Sequence, residues 1–176
     1  MQRYTRLKYA LIIQGVLLLL TIFVFRAVTP HEVTRLSLVR AKILVSDVET
    51  TITQAHEMQR LARGPKRGDT EYFKPIHAEL LAKTSSVSSL DSRIAQIDYF
   101  IDTFTFGITP SSDKIGSLNG SFDQLYLHYT ELKDNLRYVD AAMDVTSTEF
   151  STTQNRLTKL ENSLADTIIS MSQIEQ

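Results

Sequence analysis

Residues 122–176 read FDQLYLHYTELKDNLRYVDAAMDVTSTEFSTTQNRLTKLENSLADTIISMSQIEQ. Neither glycine nor proline interrupts this stretch, and apolar residues or threonines recur through it at alternating steps of three and four. Such steps place all of them on one helix face, and a repeat of this length far exceeds the roughly three or four heptads that indicate a coiled coil. The sequence therefore predicts an all-α protein in which 122–176 form one long heptad-repeat helix. The positions of the repeat are Phe122, Leu125, Tyr129, Leu132, Leu136, Val139, Met143, Thr146, Phe150, Thr153, Leu157, Leu160, Leu164, Thr167, Met171 and Ile174.

The far end of this predicted helix lacks an evident partner. The helix would be about 80 Å long. The segment before it, over 27–121, is predicted below to form two helices that each extend about 50 Å. The last ~30 Å of the long helix would therefore carry an uncovered seam, that is, a row of heptad positions with no neighbouring helix. We predict that this seam binds a second copy of the chain or another helical envelope subunit. The alternative is a fold-back into a four-helix bundle, with a turn at 145–148 or 151–153. The predicted seam residues are Leu157, Leu160, Leu164, Ile168, Met171 and Ile174.

An apolar run lies near the N-terminus. Residues 9–25 read YALIIQGVLLLLTIFVF between Lys8 and Arg26. A helix of this length spans about 25 Å, and the flanking basic side chains can extend to the lipid headgroups, so the run approaches a hydrocarbon core of about 30 Å. We predict a transmembrane helix over 9–26, preceded by a short basic tail over 1–8. A cleaved signal peptide is the alternative, but Phe25 and Arg26 stand where cleavage favours small residues.

A short basic tail usually stays inside the cell. We therefore predict a single-pass protein of the inner membrane, with a cytoplasmic N-terminus and the bulk of the chain outside the cytoplasm. In a bacterium that compartment is the periplasm.

A helical hairpin with a loop is predicted over 27–121. Its first helix should begin at Thr29 and Pro30, which fit a cap and a first helical position, and end at about Arg63, before Gly64 and Pro65. A second helix follows, and turn-forming residues over 105–121 separate it from the long helix, with Asn119-Gly120 as the main break. The seam of the second helix consists of Phe73, Ile76, Leu80, Lys83, Val87, Leu90, Ile94, Ile97, Ile101 and Phe104.

Basic residues cluster at the predicted tip of the hairpin. They are Arg60, Arg63, Lys66 and Arg67. One interpretation is a contact for an anionic partner. The other is a solvated turn in which the charges complement the negative helix end, which stabilises a helix by about 0.3–1 kcal/mol per charge without any partner.

Composition and motifs argue against several functions. The net charge of −1 does not suit nucleic acid, which favours a strongly basic face. The chain has no cysteine, its four histidines are scattered, and it has no phosphate-binding loop or nucleophile motif, so we predict neither enzyme activity, a metal nor a cofactor. Threonines at seam positions 146, 153 and 167 indicate either a soft region, such as a small-ligand cleft, or ordinary variation.

Two classes of function remain. The first is a membrane-anchored coiled-coil assembly subunit of an envelope complex, such as secretion, pilus or motility machinery, acting as a spacer that recruits a partner helix. The second is a sensor input module. The layout, one membrane helix followed by a long extracytoplasmic helical region, is similar to the input regions of chemoreceptors and some histidine kinases. Those proteins return through the membrane to a signalling domain, whereas no second apolar run precedes Gln176.

Overall fold

The computed structural model describes residues 2–64, 69, 71–72, 74–75, 78, 87–105, 113–138 and 148–175. It gives side chains for these residues except 2–12, 22–28, 87–88, 104 and 137–138. The principal helices are α1 (Gln2–Ala62), α2 (Val87–Thr105), α3 (Asp113–Tyr138) and α4 (Thr148–Glu175). The predicted all-helical bundle is thus confirmed for the part of the chain described.

The helices run alternately up and down. Arg40 of α1 pairs with Asp98 of α2, and Arg40 also bonds Asn119 near the start of α3. The end of α4 returns to the same level of α1, where the Lys42 ammonium lies 2.7 Å from the Glu175 carboxylate. Consequently α1 and α3 run in one direction, α2 and α4 in the other.

The predicted single helix over 122–176 is wrong, because this stretch forms the antiparallel pair α3 and α4. Lys114 near the start of α3 bonds the carbonyl of Gln173, and Asn135 near its end bonds Thr153. The reversal lies between Tyr138 and Thr148, so it overlaps the site at 145–148 that the sequence offers for a turn. Folding back removes the apolar seam from water without a second chain, and that burial is the main favourable term.

The heptad repeat nevertheless identifies the core correctly. Its residues are at most 4% exposed in both α3 and α4, from Phe122 to Leu136 and from Phe150 to Leu160. The hydrophobic ones form one cluster with Ala41, Leu44 and Val48 of α1, except for Phe150, which packs with Ala62. In α2, Leu90 and Ile94 of the predicted seam are also buried. The seam positions Phe73, Ile76, Leu80 and Lys83 lie outside the described residues.

Helix α1 is longer than predicted, because it passes through Thr29 and Pro30 without ending. The predicted helix start at these residues is therefore wrong, although Pro30 still lacks the backbone N–H that would bond Arg26. Such a proline costs a helix about 3 kcal/mol or more. The other end is as predicted, since α1 ends at Ala62 and the amide of Gly64 bonds the carbonyl of Leu61 at 3.0 Å.

Helix α3 begins at Asp113 and passes through Asn119-Gly120, so the predicted break there is also wrong. Ile115 and Leu118 are 4% and 1% exposed, and their burial outweighs the cost of glycine in a helix, about 1 kcal/mol. Asp113 in the first turn suits the positive end of the helix dipole.

Within the described residues, no helix meets the length and apolarity needed to cross a membrane. Residues 9–12 and 22–26 of the predicted span lie outside the described side chains. Between them, the large apolar side chains from Ile13 to Leu20 are 51–67% exposed.

Candidate functional site

A polar groove lies between α3 and α4. Its volume is about 460 Å³, and it occupies the half of the bundle in which the two helices meet through small side chains. It combines several hydroxyl and amide groups with one carboxylate, so it offers hydrogen-bonding partners to a small polar ligand. The groove is lined by Ser117, Gly120, Ser121, Gln124, Ser163, Asp166, Ile169, Ser170 and Gln173.

Hydroxyl groups hold the two helices together beneath this groove. The Thr167 side chain is fully buried. Its hydroxyl lies 2.8 Å from the carbonyl of Ser163 and 3.2 Å from the carbonyl of Ser121. The Ser163 hydroxyl lies 2.6 Å from Nδ1 of His128. Because the side chains that meet here are small, they leave the groove open above these contacts.

The lining suits a ligand that donates hydrogen bonds. Asp166 is the single charged lining residue, and Gln124 and Gln173 add amide groups that both donate and accept. An ammonium or a polyhydroxylated molecule fits this set better than an anion does. Among the described residues, no group of three or more histidine, aspartate or glutamate side chains is placed to hold a metal ion.

The seam threonines serve the packing of the bundle. Thr153 is 1% exposed, and its hydroxyl lies 2.5 Å from Asn135 Nδ2 and 2.8 Å from the carbonyl of Glu149. Thr167 is bonded as described above, while Thr146 lies outside the described residues. A buried hydroxyl with such partners stabilises the helix pair instead of leaving an open cleft. The groove therefore depends on small residues beside the threonines and not on the threonines themselves.

Two of the six residues of the predicted partner seam are buried in the core of the chain itself. Leu157 and Leu160 are 2% and 0% exposed, and Ile168 is 44% exposed on the outer surface of α4. The fold-back of α4 onto α1 and α3 covers part of this face, and binding of another chain there stays a prediction. The other three predicted residues, which are partly buried against the core, are Leu164, Met171 and Ile174.

The predicted basic tip is only partly described. Arg60 donates two hydrogen bonds to the Glu57 carboxylate, at 2.6 and 2.7 Å, which lowers the pKa of Glu57 and raises that of Arg60. The Arg63 guanidinium lies 5.4 Å from the ring centre of Phe150. These contacts agree with the interpretation in which the basic side chains stabilise the C-terminal end of α1. Contact with an anionic partner stays a prediction, and Lys66 and Arg67 lie outside the described residues.

Sequence reasoning missed the junction at Arg40, whose side chain is 12% exposed. Its Nη1 lies 2.5 Å from Asp98 of α2, its Nη2 lies 2.8 Å from Asn119 of α3, and its guanidinium lies 4.0 Å from the Phe122 ring centre. One side chain thus joins three helices. The available signal was its position on the buried face of α1, between Ser37 and Leu44.

Two tyrosines of α3 form a second polar cluster with α1 and α2. Burial raises the pKa of Tyr129 to about 12, and the nearby Asp47 carboxylate adds to the effect. Burial also raises the pKa of Tyr126, whose hydroxyl donates to Asp91 at 2.9 Å. Both phenols are therefore neutral hydrogen-bonding groups at physiological pH, and they position α3 against its neighbours.

Comparison with known proteins finds no matching family model, no similar curated protein and no similar solved structure. The function of the bundle therefore has to be argued from its own geometry.

Proposed function

We propose that this chain is the extracytoplasmic input module of a membrane-bound sensor. The observation that carries the proposal is the return of α4 to the start of the packed part of α1, where Lys42 and Glu175 pair at 2.7 Å. Both the N-terminal helix and the end of α4 therefore leave the bundle at the same end. A rearrangement within the bundle would then move two helices that point toward one membrane surface.

The N-terminal part of α1 supplies the proposed anchor. Its large apolar side chains from Ile13 to Leu20 are all more than half exposed. An apolar surface of this length is unfavourable in water and favourable in lipid. The basic residues that precede it favour a cytoplasmic N-terminus, and hence a bundle outside the cytoplasm.

The α3–α4 groove is the proposed ligand site. A molecule bound there would contact Gln124 of α3 and Asp166 of α4, and it would therefore change how these helices pack. Helix α4 shares a buried core with α1 through Leu157 and Leu160, and it is also joined to α1 by two exposed polar contacts, the Lys42–Glu175 ion pair and the His56–Glu161 hydrogen bond. An exposed ion pair contributes only about 0–1 kcal/mol, so the polar part of the α4–α1 contact resists displacement weakly. Buried contacts of Arg40, in contrast, hold α1, α2 and α3 together.

An assembly subunit of an envelope complex is the second candidate. The observation in its favour is an exposed aromatic pair on α2, Tyr99 and Phe100, which are 69% and 52% exposed with ring centres 6.1 Å apart. Exposed aromatic side chains are frequent in protein interfaces. The buried positions of Leu157 and Leu160 weigh against this candidate, because they remove two of the six residues of the seam on which it depended.

Disulfide crosslinking tests the sensor proposal. The chain has no cysteine, so Lys42→Cys with Glu175→Cys gives a single pair that reports the position of α4 against α1. Membranes carrying the full chain are exposed to amines, amino acids, sugars and organic acids, and the rate of disulfide formation is followed on gels. We expect amines or polyhydroxylated compounds to change this rate at least about threefold, roughly 0.7 kcal/mol.

Two glycine variants provide the matched control. Gly120 lines the groove and Gly116 does not, and an added Cβ meets open space at either position. Gly120→Phe should abolish the response, whereas Gly116→Phe should retain it. A rate that no compound changes, or a response that survives Gly120→Phe, would contradict the proposal. Crosslinked dimers through Leu157→Cys and Leu164→Cys would instead favour the assembly subunit.

The orientation needs its own measurement. Asn155 is exposed on α4, so Asn155→Cys should react with a membrane-impermeant maleimide in intact spheroplasts. Labelling only after lysis would place the bundle in the cytoplasm and refute the proposed localisation.

A further inference from the structure

We propose that Pro30 forms a joint between the apolar N-terminal segment of α1 and the four-helix bundle. The joint would allow the bundle to tilt relative to that segment while α1 remains helical on both sides. This inference concerns the backbone of α1, and it holds whether the bundle is a sensor or an assembly subunit.

The first argument is the missing hydrogen bond. Pro30 lies inside α1, so the carbonyl of Arg26 has no amide donor four residues later. The proline ring also crowds that carbonyl, and sharp bends of helices are concentrated at prolines. The turn from Arg26 to Pro30 is therefore the weakest part of the helix between Gln2 and Ala62.

The second argument is a hydroxyl contact in the following turn. The Thr34 hydroxyl donates to the carbonyl of Pro30 at 2.7 Å. A threonine that bonds the carbonyl four residues earlier competes with the backbone amide and often bends the helix. In the same turn, the Glu32 carboxylate pairs with Arg35 at 2.9 Å, which stabilises the helix on the bundle side. The Thr34 contact thus extends the weakened stretch through the turn that follows Pro30.

The third argument is the position of the joint. Among the described side chains of α1, the first buried one is Val33, at 1% exposed, and the buried face continues through Ser37 and Ala41. Before Val33, the described side chains from Ile13 to Thr21 and from Thr29 to Glu32 include none that is buried. The joint lies just before the point at which the described side chains of α1 enter the packed core.

Distances between spin labels test the proposal. Labels at Leu20→Cys and Glu49→Cys span Pro30, whereas labels at His31→Cys and Arg60→Cys have the same separation in sequence and lie after it. Both pairs would be about 44 Å apart along a straight helix. The distance between the two labels is measured on the full chain in lipid nanodiscs by pulsed electron–electron double resonance. We expect the distance distribution across Pro30 to be at least about twofold broader than the control distribution.

Two variants separate the causes. Pro30→Ala restores the missing amide and should narrow the distribution across residue 30 to the control width. Thr34→Val keeps the side-chain shape, removes the hydroxyl and should narrow it only in part. The proposal would be overturned by equal widths for the two pairs in the unmodified chain, or by a width that Pro30→Ala leaves unchanged. Alanine favours a helix at this position, so the variant is expected to fold.

Discussion

Replacing Leu160 by alanine tests whether the C-terminal heptads are covered by the chain itself. Leu160 is 0% exposed and belongs to the core cluster, together with residues from all of the principal helices. Truncating a buried leucine to alanine costs about 2–5 kcal/mol, and the larger values occur where the surroundings cannot collapse into the cavity. Since neighbouring helices are held apart by their other core residues, we expect about 3–4 kcal/mol here.

Ile168→Ala is the matched control. Ile168 lies on the same helix, loses a similar number of carbons and is 44% exposed. At about 0.8 kcal/mol for each fully buried methylene, its truncation should cost only about 1 kcal/mol. The contrast between the two variants therefore measures how much of α4 is covered at position 160.

Urea unfolding followed by circular dichroism gives both numbers. With a slope of about 2 kcal/mol per M, Leu160→Ala should lower the midpoint by roughly 1.5–2 M and Ile168→Ala by about 0.5 M. Neither midpoint should depend on protein concentration, because the burial is within one chain. A midpoint that rises with concentration would indicate a seam buried between chains. A cost for Leu160→Ala no larger than that for Ile168→Ala would equally refute the reasoning.

Two further predictions concern α3. The pKa of Tyr129 is raised to about 12 from an ordinary value of 10, so between these pH values the unfolded chain loses a proton that the folded chain retains. The stability that this group contributes should therefore be complete below pH 10 and decline as the pH rises toward 12. Tyr129→Phe should weaken that decline in unfolding experiments across this pH range. Gly120→Ala should raise the free energy of unfolding by about 0.5–1 kcal/mol, because Gly120 is helical and an added Cβ meets open space; destabilisation in a thermal melt would mean that the helix is interrupted at Asn119-Gly120 after all.

The heptad pattern predicted which residues of α3 and α4 are buried but not where the chain reverses. Both helices of an antiparallel pair present the same kind of face to the core, and Val139 and Met143 happen to continue the register through the segment between the helices. No glycine or proline marks the reversal. A pattern of inward-facing residues therefore fixes the helix face, while the identity of the helix that covers it depends on tertiary contacts.

Local signals for helix ends were misleading because tertiary packing outweighs them. Thr29-Pro30 and Asn119-Gly120 are strong signals in an isolated peptide, yet α1 and α3 pass through both. Around Asn119, the burial of Leu118 and Phe122 outweighs the propensity of one glycine, and the Asn119 amide oxygen gains a partner in Arg40. The site was harder to predict still, because the groove exists only where α3 meets α4 in a register that the fold-back sets.

The contacts of Arg40 also provide a way to find relatives of this chain. Its guanidinium bonds a carboxylate 58 residues later and an amide 79 residues later, and its flat face covers an aromatic ring. Lysine could not replace Arg40, because an ammonium lacks the planar guanidinium geometry that bonds two acceptors while its face stacks on an aromatic ring. A homologue that had diverged in every other surface residue would still need arginine, an acceptor on α2 and an acceptor on α3 at matching heights. This set of three positions is a search pattern for bundles whose overall sequence similarity has been lost.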